Sequence, residues 1–228
     1  MRIAIRSVAL FLVVSGLSAV FAQTTNTIQA NGSVTRQVKP DMAQLTVGVI
    51  TQAATAQAAA DQNASTTDAV TKALQAILGA NGTIQTLYYS ITPRYTMNGA
   101  QQTLTGYVVS NTVQATSNDV TLVGRLIDAA NGAGANNISG PLYGLQNSDP
   151  EIQLALAAAS RQALAHAASI ASGLGAKAGA VISAQEGSTV RPVVDGSAPG
   201  ATAGTSTPIQ TGTVSVSVSV TITVALVQ

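Results

Sequence analysis

Histidine, the side chain most often used for acid–base chemistry near neutral pH, occurs once in the chain, at position 166. A Ser-His-Asp triad needs a positioned nucleophile, and the sequence has no Gly-x-Ser-x-Gly motif that would supply one. The chain has no cysteine, which excludes thiol catalysis, cysteine metal sites and disulfides. We therefore interpret His166 as a structural residue and predict no catalytic residue.

Two other patterns resemble sites and have plainer interpretations. The segment 173–179 (GLGAKAG) is glycine-rich, as phosphate-binding loops are. It follows a predicted helix and precedes a strand, the reverse of the dinucleotide-binding order, and it lacks Gly-Lys-Ser/Thr, so we interpret it as a helix stop and turn. The closest acidic pair, Asp149 and Glu151, suits the first turn of a helix, where negative charge is stabilising. The other acids are scattered, and we predict neither a metal site nor a cofactor.

Aromatic residues are too few to suggest a stacking surface for nucleic acid or sugar. There is no tryptophan, and Phe11 and Phe21 lie in the N-terminal apolar segment. We expect no nucleic-acid partner and interpret the tyrosines as sheet residues: Tyr88, Tyr89, Tyr95, Tyr107 and Tyr143.

The first 22 residues have the features of a signal peptide. Arg2 and Arg6 precede an apolar stretch, and Val20 and Ala22 are small residues before a cleavage point that we place after Ala22. The apolar stretch is short for a membrane span of about 20 residues, and no basic flank follows it. We therefore predict a secreted or periplasmic mature protein, residues 23–228.

Charge is scarce in this sequence: only 8% of residues are Asp, Glu, Lys or Arg. Removal of Arg2 and Arg6 leaves 8 basic and 9 acidic residues (10 − 2 against 9), a formal net charge of −1. A surface with so little charge has weak long-range repulsion between molecules. It predicts either self-association or a neutral, well-hydrated surface, and composition alone does not choose between them.

The clearest structural pattern is the final strand, residues 213–228, in which valine, isoleucine and leucine alternate with small, mostly hydroxyl residues. So long a strand needs partners within a substantial sheet. Helix patterns are bounded by capping residues: Thr51 or Thr55 starts the first and Gly79 ends it. The other predicted elements are a strand region 28–50 broken at Lys39-Pro40-Asp41, strands 83–96 and 103–117 joined by an Asn-Gly turn, a short helix from Asn118-Asp119, a strand 136–146, a helix from Ser148 to Gly173 and a strand 180–190.

The resulting order, β-α-β-β-α-β-α-β-β, predicts an α+β fold with a mixed, largely antiparallel sheet and helices packed on it. About 200 mature residues are compatible with one domain. The composition of residues 187–212 is glycine, serine, proline and alanine with almost no charge, which predicts a flexible loop.

Several segments, in their order and spacing, resemble the SIMPL-domain family of bacterial envelope proteins. They cover nearly the whole mature chain: Gly32-Ser33-Val34, Lys39-Pro40-Asp41-Met42-Ala43, Gly48-Val49, Ala54-Thr55-Ala56-Gln57-Ala58, Asn63, Ile84-Gln85-Thr86, Pro93-Arg94-Tyr95, Gly106-Tyr107, Asn111, Asp119, Gly134-Ala135-Asn136 and Pro208-Ile209. The chain departs from relatives in the helix after Pro150, where alanine replaces charged residues.

The resemblance implies a periplasmic or surface-associated protein. Some members resemble the periplasmic immunogenic protein, which assembles into a channel-like ring stack, and others are described as oxidative-stress defence proteins. No catalytic residue set comes with the family. We therefore expect a non-enzymatic, self-assembling envelope protein with a homo-oligomeric state. The alternatives are a small-ligand-binding protein or hydrolase with an unrecognised site, and an outer-membrane β-barrel suggested by the final strand.

The mature protein is expected to begin at Gln23, because the cleavage signal lies at Val20–Ala22. Intact-mass measurement of protein exported by a Gram-negative host checks this. Retention of residues 1–22 in the exported protein would contradict the secreted location.

Overall fold

The computed structural model describes residues 26–99, 101–193 and 207–228; the predicted signal peptide lies outside them. In chain order these residues form β1 (Thr27–Val38), β2 (Met42–Ala53), α1 (Ala56–Leu78), β3 (Gly82–Asn98), β4 (Gln101–Ser117), a 3-10 turn (Val120–Leu122), α2 (Val123–Gly132), β5 (Asn137–Gly144), α3 (Asp149–Gly173), β6 (Lys177–Val193) and β7 (Thr213–Val227). The predicted α+β class and element order are confirmed, with the first strand region divided at Pro40 into β1 and β2.

The strands form two sheets rather than the single mixed sheet expected. One has the order β1-β7-β6 and the other β3-β4-β2-β5. All the strand pairs in both sheets are antiparallel. Sequence neighbours β1 and β2 therefore lie in different sheets, and β1 pairs with β7 from the far end of the chain.

β7 is the central strand of its sheet, as its alternating pattern requires. Val214, Val216 and Val218 are fully buried on one face. The hydroxyl face bonds to β1: Thr35 Oγ1 and Ser217 Oγ are 3.0 Å apart. The prediction of one long strand with a buried valine face is confirmed.

α3 lies unusually close to β1 and β7. Its buried residues are alanines spaced four apart, from Ala155 to Ala171, so only methyl groups separate the helix backbone from the sheet. The helix meets β1 at Gly32, where an added Cβ would lie 2.0 Å from the backbone oxygen of Ala159 and 2.7 Å from the backbone nitrogen of Ala163. A glycine within a strand commonly marks such a close backbone approach.

α1 and α2 cover the four-stranded sheet with larger side chains. Leu45, Val47 and Val49 of β2 pack against Leu74 and neighbouring residues of α1 in one buried cluster. The first turn of α1 is capped by Thr55, whose hydroxyl accepts a hydrogen bond from the Ala58 N–H at 3.2 Å, and Gly79 ends the helix. Of the two predicted caps, Thr55 is therefore the one used.

One buried amide joins α1 to two strands beneath it. Asn63 is fully buried, and its Nδ2 donates to the backbone oxygen of Val49 at 2.8 Å and to that of Val109 at 3.4 Å. Its Oδ1 accepts from Thr67 Oγ1 at 3.3 Å. Because its donors and acceptor are used, the amide is stable within the core and fixes the helix above β2 and β4.

Two local predictions need correction. Of the loop expected over residues 187–212, residues 187–193 instead lie in β6 and pair with β7; residues 194–206 lie outside the described residues. At the start of α3 the Ser148 side chain makes no capping bond. Asn147 does so instead, its Oδ1 accepting from the Asp149 N–H at 3.0 Å.

None of the helices in the described parts of the chain is long and apolar enough to cross a membrane.

Val218→Asp is expected to lower the free energy of unfolding by several kcal/mol, about the whole margin of a small domain, because it buries a charge without a partner. Ser217→Asp, on the half-buried hydroxyl face of the same strand, is the matched control and should cost much less. Chemical denaturation of both variants measures the difference. Equal losses would mean that both faces of β7 are covered.

Gly32→Ala is expected to lower the free energy of unfolding by at least about 3 kcal/mol, because the new methyl group meets helix backbone that cannot rotate away. Gly187→Ala in β6 is the control, since its Cβ meets only the Ser219 hydroxyl oxygen, at 3.1 Å. Thermal and chemical denaturation compare the two. Similar stability of both variants would contradict the close approach of α3.

Candidate functional site

His166 holds α3 against the outer edge of β1. Its Nδ1 lies 2.7 Å from the backbone oxygen of Asn31, and because a carbonyl only accepts, Nδ1 carries the proton. Four residues earlier, Gln162 Oε1 accepts from the Ser33 N–H at 2.8 Å. Two backbone groups of β1 that β7 does not use are therefore bonded by helix side chains.

The acidic pair predicted at the start of α3 is not a carboxylate dyad. Glu151 Oε2 accepts from Arg36 Nε at 2.7 Å, which ties the first turn of the helix to β1. The Asp149 N–H is occupied by the Asn147 cap. Within the described residues, no three histidine or acidic side chains are grouped as a metal site would require.

The glycine-rich segment after α3 is a helix stop, as predicted. Gly175 has a φ of 72°, a left-handed conformation that favours glycine. The Ala176 N–H returns to the Ala171 carbonyl at 2.9 Å, closing the last turn, and β6 begins at Lys177. The backbone N–H groups of this turn are therefore hydrogen-bonded to the last carbonyl groups of α3 and are not available to bind phosphate.

Two titrating groups have shifted pKa values, and both shifts have structural causes. The Thr121 hydroxyl, followed by the Thr121 backbone N–H, lowers the pKa of Asp119, which caps the 3-10 turn. Burial raises the pKa of Tyr143. At pH values above the pKa that Asp119 has in the unfolded chain, its hydrogen bonds stabilise the folded state. This contribution is lost as the pH falls through the lower pKa that Asp119 has in the folded state. Neither group has a second titrating partner within hydrogen-bonding distance among the described residues.

A polar cleft lies where β3 and β4 extend beyond β2. It has a volume of about 410 Å³ and is lined by Gln52, Ala53, Arg94, Thr96, Thr105, Gly106 and Tyr107. Arg94 Nη1 donates to Gln52 Oε1 at 2.5 Å. The strands bend here: Gly106 has a φ of 145°, and an added Cβ would lie 2.7 Å from the Ala53 backbone oxygen.

The groups that line this cleft are suited to binding a polar molecule. A guanidinium beside hydroxyl and amide groups can hydrogen-bond a carboxylate or a neutral polar molecule. The lining has the hydroxyl groups of Thr96, Thr105 and Tyr107, and it includes no histidine, carboxylate or cysteine.

The β3–β4 hairpin carries an unusually exposed apolar surface. β2 pairs with β4 only as far as Tyr107, so residues 94–98 and 101–106 form a two-stranded arm. On one face, Ile91 pairs opposite Val109 and Tyr95 opposite Leu104. The large side chains on this face, which we call the apolar stripe, are between 42% and 65% exposed: Tyr89, Ile91, Tyr95, Met97 and Leu104.

All five tyrosines are sheet residues, as predicted, but Tyr88, Tyr89 and Tyr95 are at least half exposed and the other two are half-buried. Tyr88, Tyr89 and Tyr95 lie in β3, Tyr107 in β4 and Tyr143 in β5. Strand length could have indicated that part of the hairpin is exposed, because β3 and β4 have 17 residues each and β2 has 12. Sequence patterns define strand ends poorly, so this difference in length could not be predicted.

The two edges of the three-stranded sheet differ. β1 is bonded along its outer edge by α3. β6 has a strand partner on one side only, β7, within the described parts of the chain. Val181 and Ile182 of β6 are 49% and 54% exposed, so apolar groups accompany this open edge.

Comparison with known proteins identifies a family. No curated protein matches the chain. Residues 28–224 match the SIMPL family, described as protein of unknown function (DUF541). The match spans both sheets and all three helices, and the chain therefore belongs to the SIMPL family.

Proposed function

We propose that this chain is a secreted, non-enzymatic protein of the bacterial cell envelope that assembles with copies of itself. The observation that carries the proposal is the apolar stripe of the β3–β4 hairpin. Apolar patches of this kind on a folded protein commonly mark interaction sites. Tyrosine and methionine, both present in the stripe, are enriched in protein interfaces.

A second copy of the chain fits the stripe better than a lipid surface does. Residues 82–117 contain one charged residue, Arg94. Peripheral membrane binding usually combines an apolar surface with several basic residues, each worth about 1 kcal/mol near anionic lipids. One arginine supplies little of that attraction, whereas a neutral apolar face is complementary to its own copy.

Other parts of the proposal rest on the sequence and the family. The predicted signal peptide supports an envelope location, and the chemistry of the cleft residues supports a non-enzymatic role. Of the two roles that the family resemblance implies, a channel-like assembly requires repeated contacts between copies, which the apolar stripe can provide. A stress-protective role is compatible with the same assembly.

The cleft at Arg94 favours a second candidate function, the binding of a small polar or anionic molecule. Its volume is at the lower end of the range for ligand pockets, about 300–1,000 Å³, and its guanidinium is held in place by Gln52. A monomeric protein that binds carboxylates, with binding lost in Arg94→Gln, would favour this function over self-assembly.

The purified mature protein is expected to be a homo-oligomer at micromolar concentration. Since the stripe is apolar, raising the salt concentration should change the assembly little. Light scattering coupled to gel filtration at low and high salt measures the mass. A monomer would contradict self-assembly, and an oligomer that dissociates in salt would contradict the apolar contact.

The double variant Tyr95→Ser/Met97→Ser is expected to weaken this assembly about 30-fold, corresponding to a loss of about 2 kcal/mol from two central interface residues. Both side chains are more than half exposed, so folding should be unaffected. The control is Thr96→Ser/Thr103→Ser, a cross-strand pair on the opposite face of the same arm. Equal dissociation constants of the two variants would show that the stripe is not the contact.

A further inference from the structure

Within the described residues, the outer edge of β6 is regular and has no strand paired with it. From Ser183 to Val193 each residue pairs one-to-one with β7, and the irregularities of this strand lie before Ser183. No described side chain of β6 is buried. An uncovered strand edge of this length presents a row of backbone donors and acceptors to any strand that approaches it.

Among the described residues, side chains bond the outer edge of β1 but not that of β6. α3 packs on β1 and β7, and Gln162 and His166 bond the backbone of β1 at Ser33 and Asn31. Proteins also protect edges with lysines, prolines or short strands. Between Ser183 and Arg191, β6 has two charged residues, Glu186 and the terminal Arg191, and no lysine or proline.

We infer that β6 pairs antiparallel with β6 of a second copy. This inference rests on the proposed self-assembly and adds a second contact surface to the apolar stripe. The two copies are related by a two-fold axis perpendicular to the sheet. Each β6 edge is then used by the other copy, so the sheet does not continue to add further copies at this edge. The product is one continuous six-stranded sheet with the order β1-β7-β6-β6-β7-β1.

The regular segment also fixes the register. It runs from Ser183 to Arg191, because Pro192 has no backbone N–H to donate, and its centre is Gly187. Centring the two-fold axis there places Gly187 opposite itself and Ala184 opposite Val190 of the second copy. Glu186 then lies opposite Ser188, so no like charges face each other.

The edge contact is one part of a larger assembly. Nine residues of strand are about 30 Å long, and a sheet edge about 10 Å thick buries on the order of 300 Å² per copy, well below the roughly 800 Å² of a typical stable interface. The apolar stripe lies on the other sheet and can supply the remaining contact. Two separate surfaces on each copy allow an assembly larger than a dimer.

The absence of cysteine allows a direct test by disulfide cross-linking. Opposite residues of an antiparallel pair have Cα atoms about 4.5–5.5 Å apart, within the range that a disulfide spans. Gly187→Cys is therefore expected to form a covalent dimer under mild oxidation, seen on a non-reducing gel. Its Cβ meets only the flexible Ser219 hydroxyl, at 3.1 Å, so the strand should tolerate it.

Register is checked with two further single cysteines. Gln185→Cys and Thr189→Cys should each fail to cross-link alone, since identical residues would lie roughly 13 Å apart, but a mixture of the two should cross-link. Thr35→Cys, on the exposed face of the protected strand β1, is the control that should remain monomeric on the gel.

A charge variant separates this contact from self-assembly in general. Gly187→Lys places two lysines opposite each other and should reduce the mass of the assembly, with the dissociation constant of the β6 contact raised at least about 10-fold. Thr35→Lys is its control, and circular dichroism confirms folding.

The possible outcomes distinguish the two proposals. An oligomeric wild type with no Gly187→Cys cross-link, and with unchanged mass in Gly187→Lys, overturns the β6 contact and leaves self-assembly standing. A wild type that is monomeric at tens of micromolar overturns self-assembly itself. A Gly187→Cys dimer together with the Gln185/Thr189 cross-link supports both the contact and its register.

Discussion

The contact between α3 and β1 at Gly32 determines how much of the three-stranded sheet the helix can cover. An alanine row spaced four residues apart leaves only methyl groups at the interface, and glycine removes the one Cβ that would collide with the Ala159 carbonyl. The helix therefore lies low over β1 and β7. From that position Gln162 and His166 reach the edge backbone of β1. Among the described residues, no helix side chain is hydrogen-bonded to the backbone of β6.

Local sequence patterns were sufficient to predict most of the elements. The alternation in β7, the Thr55 and Gly79 ends of α1 and the Asn98-Gly99 turn each depend on a few neighbouring residues, and each was found. The division into two sheets was not found. It depends on the pairing of β1 with β7, whose residues are about 190 positions apart in sequence. Alternating patterns show which face of a strand is buried, but they do not identify its neighbour.

The candidate surfaces were less predictable for the same reason. A tyrosine in an alternating strand has the same local pattern whether a helix covers it or not. Tyr95 is exposed because β4 continues past the last residue that pairs with β2, a matter of relative strand length. His166 shows the converse: its structural role was predicted because no catalytic partner accompanied it, yet the bond to Asn31 depends on where α3 lies.

The scarcity of charge and the open surfaces have a common physical consequence. Soluble β proteins usually discourage edge pairing with charged side chains, whose desolvation and mutual repulsion oppose contact. Here the hairpin of residues 82–117 has one charge and the regular part of β6 has two, Glu186 and Arg191. Because both surfaces carry few charges, they lose little hydration free energy of charged groups when they come into contact. A helix that packs low on its sheet and a surface with few charges therefore both favour contacts between copies, although the β6 contact alone buries too little area to be stable.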